Sequence, residues 1–142
     1  NDLLPNLVDY LCHVAEEFFR PTPIRCRMEV ADSLPPVALT SEVRHNLYLA
    51  VREAMNNIAK HSQATEVWLR IQKLENSLVI IVEDNGRGFE ESAAAAGEGL
   101  LNMRRRVEEI GGKFAFETKT GGGTSCRILL PLKIVATMHG AD

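Results

Sequence analysis

The sequence predicts an α/β (α+β) domain built as a two-layer sandwich, a mixed five-stranded sheet covered on one face by three helices. Three observations predict it. Four of five strand-like segments alternate apolar and polar residues, so the sheet has one dry and one wet face. Three other segments repeat apolar residues at helical spacing and must cover the dry face. Helices on one face only exclude a doubly wound sheet. At 142 residues the chain is one domain by length, able to bury roughly 70% of its unfolded surface.

The elements follow in order. Leu4, Leu7, Val8, Leu11, Ala15 and Phe18 form a helical stripe that Pro21 and Pro23 end. Ile24 to Val30 alternates strictly and reads as a half-buried strand. After the connector Ser33-Leu34-Pro35-Pro36, Thr40 or Ser41 caps a long helix to about His61, its stripe being Val43, Leu47, Ala50, Val51, Ala54 and Ile58. Thr65 to Ile71 is a second alternating strand, with Val67, Leu69 and Ile71 inward. A turn at Glu75-Asn76 leads to the apolar run Leu78 to Val82, a buried strand. Glu90 to Glu98, with its four alanines between glycines, suits neither strand nor core helix and reads as a mobile loop. Leu100 to Ile110 is a helix stopped by Gly111-Gly112. A short strand around Phe114 and Phe116, a turn at Gly121-Gly122-Gly123, and a strand carrying Cys126, Ile128, Leu130 and Leu132 complete the sheet.

Composition narrows the function classes. Hydrophobic content of 45% and charged content of 25% are those of an ordinary globular protein. A net charge of −3 offers no basic field, which disfavours nucleic acid as a partner. Cys12, Cys26 and Cys126 show no metal spacing and read as buried thiols in a reducing compartment, hence a cytoplasmic domain. No apolar run reaches membrane-spanning length.

The strongest turn chemistry is Asp84-Asn85-Gly86-Arg87-Gly88, which sets a carboxylate at the tip of a buried strand. It suits an Asx-stabilised turn or a binding corner. The second glycine turn, Gly97-Glu98-Gly99, leads directly into a helix. That is either an ordinary junction or a phosphate-accepting helix N-terminus. Glu53, Asn57 and Lys60 share one helix face at i, i+4 and i+7. The face is either merely solvated or a hard-cation site, with carboxylate and carboxamide oxygens for Mg2+ and a lysine for phosphate. His61 reads as a helix C-terminal partner of the dipole.

Four motifs in order carry a resemblance. They are Glu53-Ala54-Met55-Asn56-Asn57-Ile58-Ala59-Lys60-His61, Asp84-Asn85-Gly86-Arg87-Gly88-Phe89, Gly97-Glu98-Gly99-Leu100-Leu101-Asn102-Met103-Arg104, and Gly121-Gly122-Gly123-Thr124. Together they resemble the nucleotide-binding boxes of histidine-kinase ATPase domains, in the superfamily shared with gyrase, Hsp90 and MutL. Within it they are most similar to the subgroup that includes the nitrate sensor kinases. The likeness covers about residues 24 to 132 and implies a Bergerat-type ATP-binding fold.

The resemblance implies a role for each position. Asp84 accepts a hydrogen bond from the adenine amine, where guanine would set a carbonyl against the carboxylate. Such a bond is worth roughly 1.5–3 kcal/mol, one to two orders of magnitude in affinity. Thr124 helps hold the base. Asn57 coordinates Mg2+, and Glu53 orients the metal's water or acts as a base. Lys60 meets phosphate, Gly86 and Gly88 shape the turn, and Gly97 and Gly99 let a lid close with N–H groups near Leu100 and Leu101 facing the phosphates. ATP and Mg2+ are thus the expected cofactors.

In such a family the γ-phosphoryl group goes to a histidine on a separate dimerisation domain, and from there to a response regulator. None of His13, His45, His61 and His139 has a phosphoacceptor context. The chain is therefore expected to be a monomeric catalytic module: residues 1–20 a helix leading in from a dimerisation domain, 21–135 the ATP-binding domain, and 136–142 a tail. The alternatives are an anti-sigma-factor type of serine kinase and a non-catalytic nucleotide-sensing module. Arg104 and Arg105 are expected to pair with Glu108 and Glu109.

Overall fold

A computed structural model describes residues 3–87, 97–119 and 121–133. The helix α1 (Leu4–Phe19) leads to the strand β1 (Arg25–Val30) and the helix α2 (Ser41–Asn57). A π-helical turn, Ile58–Ser62, extends α2. Then come β2 (Glu66–Leu74), β3 (Ser77–Asp84), α3 (Glu98–Glu109), β4 (Lys113–Lys119) and β5 (Gly123–Pro131). Most of the expected mobile loop falls in residues 88–96, outside the described ones.

The sheet order is β1-β2-β3-β5-β4. Only β1 and β2 run parallel; the other three pairings are antiparallel, so the sheet is mixed as expected. β3 lies at the centre, paired with β2 and β5, and its Leu78, Ile80 and Val82 point into the core. One continuous core joins the inward sides of the sheet to Leu4, Leu11, Val43, Leu47, Met55, Met103 and Val107. α1 shares this core through six buried side chains. The open face carries charge instead: Arg70 pairs with both Glu29 and Glu83 and stacks on Trp68, while Arg27 pairs with Glu66. Among the described residues no helix is long and apolar enough to cross a membrane.

Several sequence expectations change. The Thr40 hydroxyl, not Ser41, caps α2, accepting from the Val43 N–H at 3.1 Å. The long helix does not reach His61 with α geometry, because its last five residues widen into the π-turn. α3 begins at Glu98 with Gly97 as its N-cap, earlier than the expected Leu100. Its unpaired N–H groups are consequently those of residues 97 to 100, and Leu101 already lies past them. Cys126 is buried, but Cys12 and Cys26 are only half-buried, since α1 and the edge strand β1 close the sandwich at its rim.

The arginines of α3 also depart from expectation. Arg104 donates to the Phe114 carbonyl at 3.3 Å and lies over that ring, and Arg105 bonds to the Asn102 carboxamide. No ion pair with Glu108 or Glu109 forms among the described residues. β4 supplies Arg104 with a fixed acceptor and an aromatic face, which outweigh a solvated i, i+4 pair worth a few tenths of a kcal/mol.

Candidate functional site

Asp84 ends the central strand and is only 3% exposed. A carboxylate that buried needs hydrogen bonds. Oδ1 accepts from the Gly86 N–H at 2.7 Å, and Oδ2 accepts from the Thr124 hydroxyl. The β3–β5 register places Thr124 directly opposite Asp84, so the two motifs meet by strand pairing. Asp84 also adds its charge to burial in pushing the Cys126 thiol up to about 12.

Close backbone approach explains two of the glycines. A Cβ on Gly86 would stand 2.1 Å from the Ser62 carbonyl oxygen, and one on Gly123 would stand 2.1 Å from the Asp84 carbonyl oxygen. Gly123 also has φ +86°, a conformation favoured by glycine. The loop after Asp84 is thus pressed between the end of the π-turn and the start of β5. Arg87 binds it there. Its N–H donates to the Ser62 carbonyl at 2.7 Å and its Nε to the His61 carbonyl at 3.2 Å, while its own carbonyl accepts from the Gly121 N–H.

His61 therefore serves the helix end through its carbonyl, with Arg87 as the cation at the negative end of the dipole. Asn85 turns away from the site. Its Oδ1 accepts from the Thr65 and Glu66 N–H groups at 3.0 and 2.9 Å, which makes it a brace at the start of β2. Gly88 lies outside the described residues.

On α2, Glu53 and Asn57 are half-buried and Lys60 is exposed. Lys60 lies within the π-turn that starts directly after Asn57, so the two no longer follow simple α spacing. The Glu53 carboxylate reaches α3: a Cβ on Gly99 would stand 2.8 Å from its Oε2. Leu100 is half-buried and Leu101 exposed in that same first turn. Each of the four motifs thus touches another. Among the described residues no three His, Cys, Asp or Glu side chains gather to hold a metal by themselves. The donors that helical spacing sets on one face of α2, the Glu53 carboxylate and the Asn57 carboxamide, suit Mg2+, which takes few protein ligands and completes its shell with phosphate and water.

Three further residues were not singled out from the sequence. Asn46 is buried and donates to the Arg106 carbonyl at 2.8 Å and to Glu109 at 3.3 Å, tying α2 to α3. A polar residue within the apolar stripe of α2 is the signal that marks it. Ser62, fully buried, accepts from the Ala64 N–H and donates to the Ile58 carbonyl, closing the π-turn. Arg87 carried no signal, because its acceptors exist only in the fold.

A sequence profile of histidine kinase-, DNA gyrase B-, and HSP90-like ATPases matches residues 42–134. The chain belongs to that ATPase family. Sensor histidine kinase LiaS of Bacillus subtilis (strain 168) is 30% identical over 127 residues, covering 89% of this chain and 34% of the relative. Nitrate/nitrite sensor protein NarX of Escherichia coli (strain K12) is 32% identical over 109 residues, covering 75% and 18%. The chain spans about a fifth to a third of the length of these two relatives. The histidine kinase domain of the Erythrobacter litoralis EL346 blue-light activated histidine kinase superposes with a TM-score of 0.78 at 23% identity, covering 96% of this chain and 65% of that one. The fold of this ATPase-family chain is that of histidine-kinase catalytic domains.

Proposed function

We propose that the chain binds Mg-ATP and transfers its γ-phosphoryl group to a histidine on a dimerisation domain, as the catalytic module of a two-component sensor kinase. The observation that carries this reading is the Asp84–Thr124 pair, a buried carboxylate fixed on both oxygens at the end of the central strand. Burying a charge in this way is costly, yet a second lone pair on each oxygen stays available. An adenine amine meets that need and a guanine carbonyl does not.

The other residues take roles that suit their positions. Asn57 and Glu53 would hold Mg2+, Glu53 through a water, and the ion would neutralise charge on the phosphates. Lys60 adds an exposed positive charge within the π-turn, and the N–H groups of residues 97 to 100 face phosphate with the positive end of α3. In the transfer a ring nitrogen of the acceptor histidine bonds to the γ-phosphorus. The bond to the bridging oxygen breaks, and ADP leaves with its electron pair. The imidazole proton passes to Glu53 as base. Such a transfer asks the protein mainly for positioning and charge neutralisation.

Incubation with Mg-ATP and a helical dimerisation domain of a related sensor kinase tests the reading. Phosphohistidine should form, and Asn57→Ala should abolish it. Bound ATP with no labelled acceptor would favour a nucleotide-sensing module, and phosphoserine on a partner would favour the serine-kinase alternative. A response regulator receiving the phosphoryl group, and the cytoplasm as its compartment, belong to the same proposal.

A further inference from the structure

Three sulfur-bearing side chains gather at the rim of the sandwich, and none has a part in the site described above. Cys26 and Met28 stand two residues apart on β1 and share its inward face, alternating with the exposed Arg25, Arg27 and Glu29. The Cys26 Sγ donates to the Met28 Sδ at 3.6 Å. α1 packs over this edge strand, and its Cys12 is half-buried against the same core as Cys26 and Met28. We propose that Cys12, Cys26 and Met28 form a binding site for a soft monovalent metal ion, Cu(I). The proposal is independent of the kinase reading.

Donor chemistry is the first argument. Two thiols and a thioether are soft ligands of the kind that select Cu(I), whereas Mg2+, Ca2+ and Mn2+ take oxygen. A structural Zn2+ site would need four donors, and among the described residues no three His, Cys, Asp or Glu side chains gather to begin one. Distance is the second argument. Metal–thiolate bonds measure about 2.3 Å, so two sulfurs on one trigonal ion stand about 4 Å apart. The Cys26–Met28 pair needs to open by only a few tenths of an ångström to reach that separation.

The third argument brings in Cys12. Burial comes first among the causes that push the Cys26 thiol up to about 11, followed by the charge of Glu16 and then that of Cys12. The Cys12 charge is therefore felt at Cys26. Sequence spacing does not join these two residues; the packing of α1 on β1 does. The Cys12 thiol is itself raised, by burial and then by Asp9 and Glu16. Thiols raised in this way hold little thiolate near neutrality, which disfavours a disulfide as their joint use. A metal ion displaces the protons directly. Each thiol releases its proton to solvent and its sulfur bonds to the ion, with no change in oxidation state.

The test titrates the whole reduced chain with Cu(I), without oxygen, against a chromophoric Cu(I) chelator. The chain should withdraw one ion, and X-ray absorption of the loaded chain should show sulfur neighbours only, at about 2.3 Å. Cys12→Ser and Cys26→Ser should each weaken binding at least about tenfold, since even a supporting group costs a metal site that much. Met28→Leu should cost a smaller factor. Cu(I) should raise the Tm of the unaltered chain and not that of the serine variants, whose circular dichroism reports their folding. Cys126→Ala, with β2 and β3 between its strand and β1, should bind as the unaltered chain does. Failure to withdraw the ion, nitrogen or oxygen neighbours, full affinity in either serine variant, or lost affinity in Cys126→Ala would overturn the assignment. So would a chain lighter by two hydrogens, a Cys12–Cys26 disulfide formed in place of uptake.

Discussion

The Glu53 carboxylate lies against the backbone of Gly99, so close that a single added methyl on Gly99 would stand 2.8 Å from Oε2. Two motifs far apart in sequence thus share one point of contact, where the base candidate of α2 meets the first turn of α3. Because the neighbour is the end of a flexible side chain, Gly99→Ala should leave stability unchanged or raise it by up to about 1 kcal/mol through helix propensity. Phosphotransfer should fall at least about tenfold, since displacing a positioned group by about an ångström is costly to catalysis. Thermal unfolding and phosphohistidine rates, measured on the same preparation, check both halves.

Asp84→Asn keeps the shape of the side chain and removes its charge. ATP affinity should fall by about ten- to a hundredfold. Thr124→Val, which removes only the hydroxyl that orients Oδ2, should cost a smaller factor in the same titration. Undiminished ATP binding by Asp84→Asn would remove the base assignment.

The glycines of the last turn should differ sharply. Gly121 and Gly123 have φ of +77° and +86°, but nothing lies within 4 Å of a Cβ on Gly121. Gly121→Ala should cost only the conformational penalty, about 1 kcal/mol. Gly123→Ala meets the Asp84 carbonyl at 2.1 Å as well and should cost roughly 3 kcal/mol or more, lowering Tm by about 10 °C. Equal losses in the two variants would contradict the close approach of β5 to Asp84.

Asn46→Ala leaves the Arg106 carbonyl without its partner and should destabilise by about 1–3 kcal/mol. Hydrogen exchange should show the loss concentrated in α3 rather than spread over the sheet.

The Cys126 thiol is pushed up to about 12 by burial and by the charge of Asp84, and that of Cys26 to about 11 by burial first. Unfolded thiols titrate near 9, so between about pH 9 and 12 the folded chain holds protons that the unfolded chain releases. Stability from this source is fully present below pH 9 and is lost as pH rises through that window. Replacing Cys126 by Ala should flatten the alkaline fall in denaturant-measured stability. At neutral pH, Cys126 should resist alkylation until the chain unfolds.

The sequence by itself determined the layers and the identity of the motifs. Alternation in β2 and β5 settles which face is wet, and the period of α2 settles which face is buried, because both follow from the geometry of single elements. The resemblance of the four motifs likewise needed only their order. Tertiary structure decided what each polar residue faces. Asn46, Asn56, Asn57 and Asn85 are the same residue type. One ties two helices together, one braces a strand, and two stand half-buried near the end of α2. Likewise Arg70 pairs across the open sheet and Arg87 closes a helix end. Such differences depend on which backbone and side-chain groups come together from distant parts of the chain, and the π-turn after Asn57 shows how one widened turn can change a face that helical spacing alone would assign.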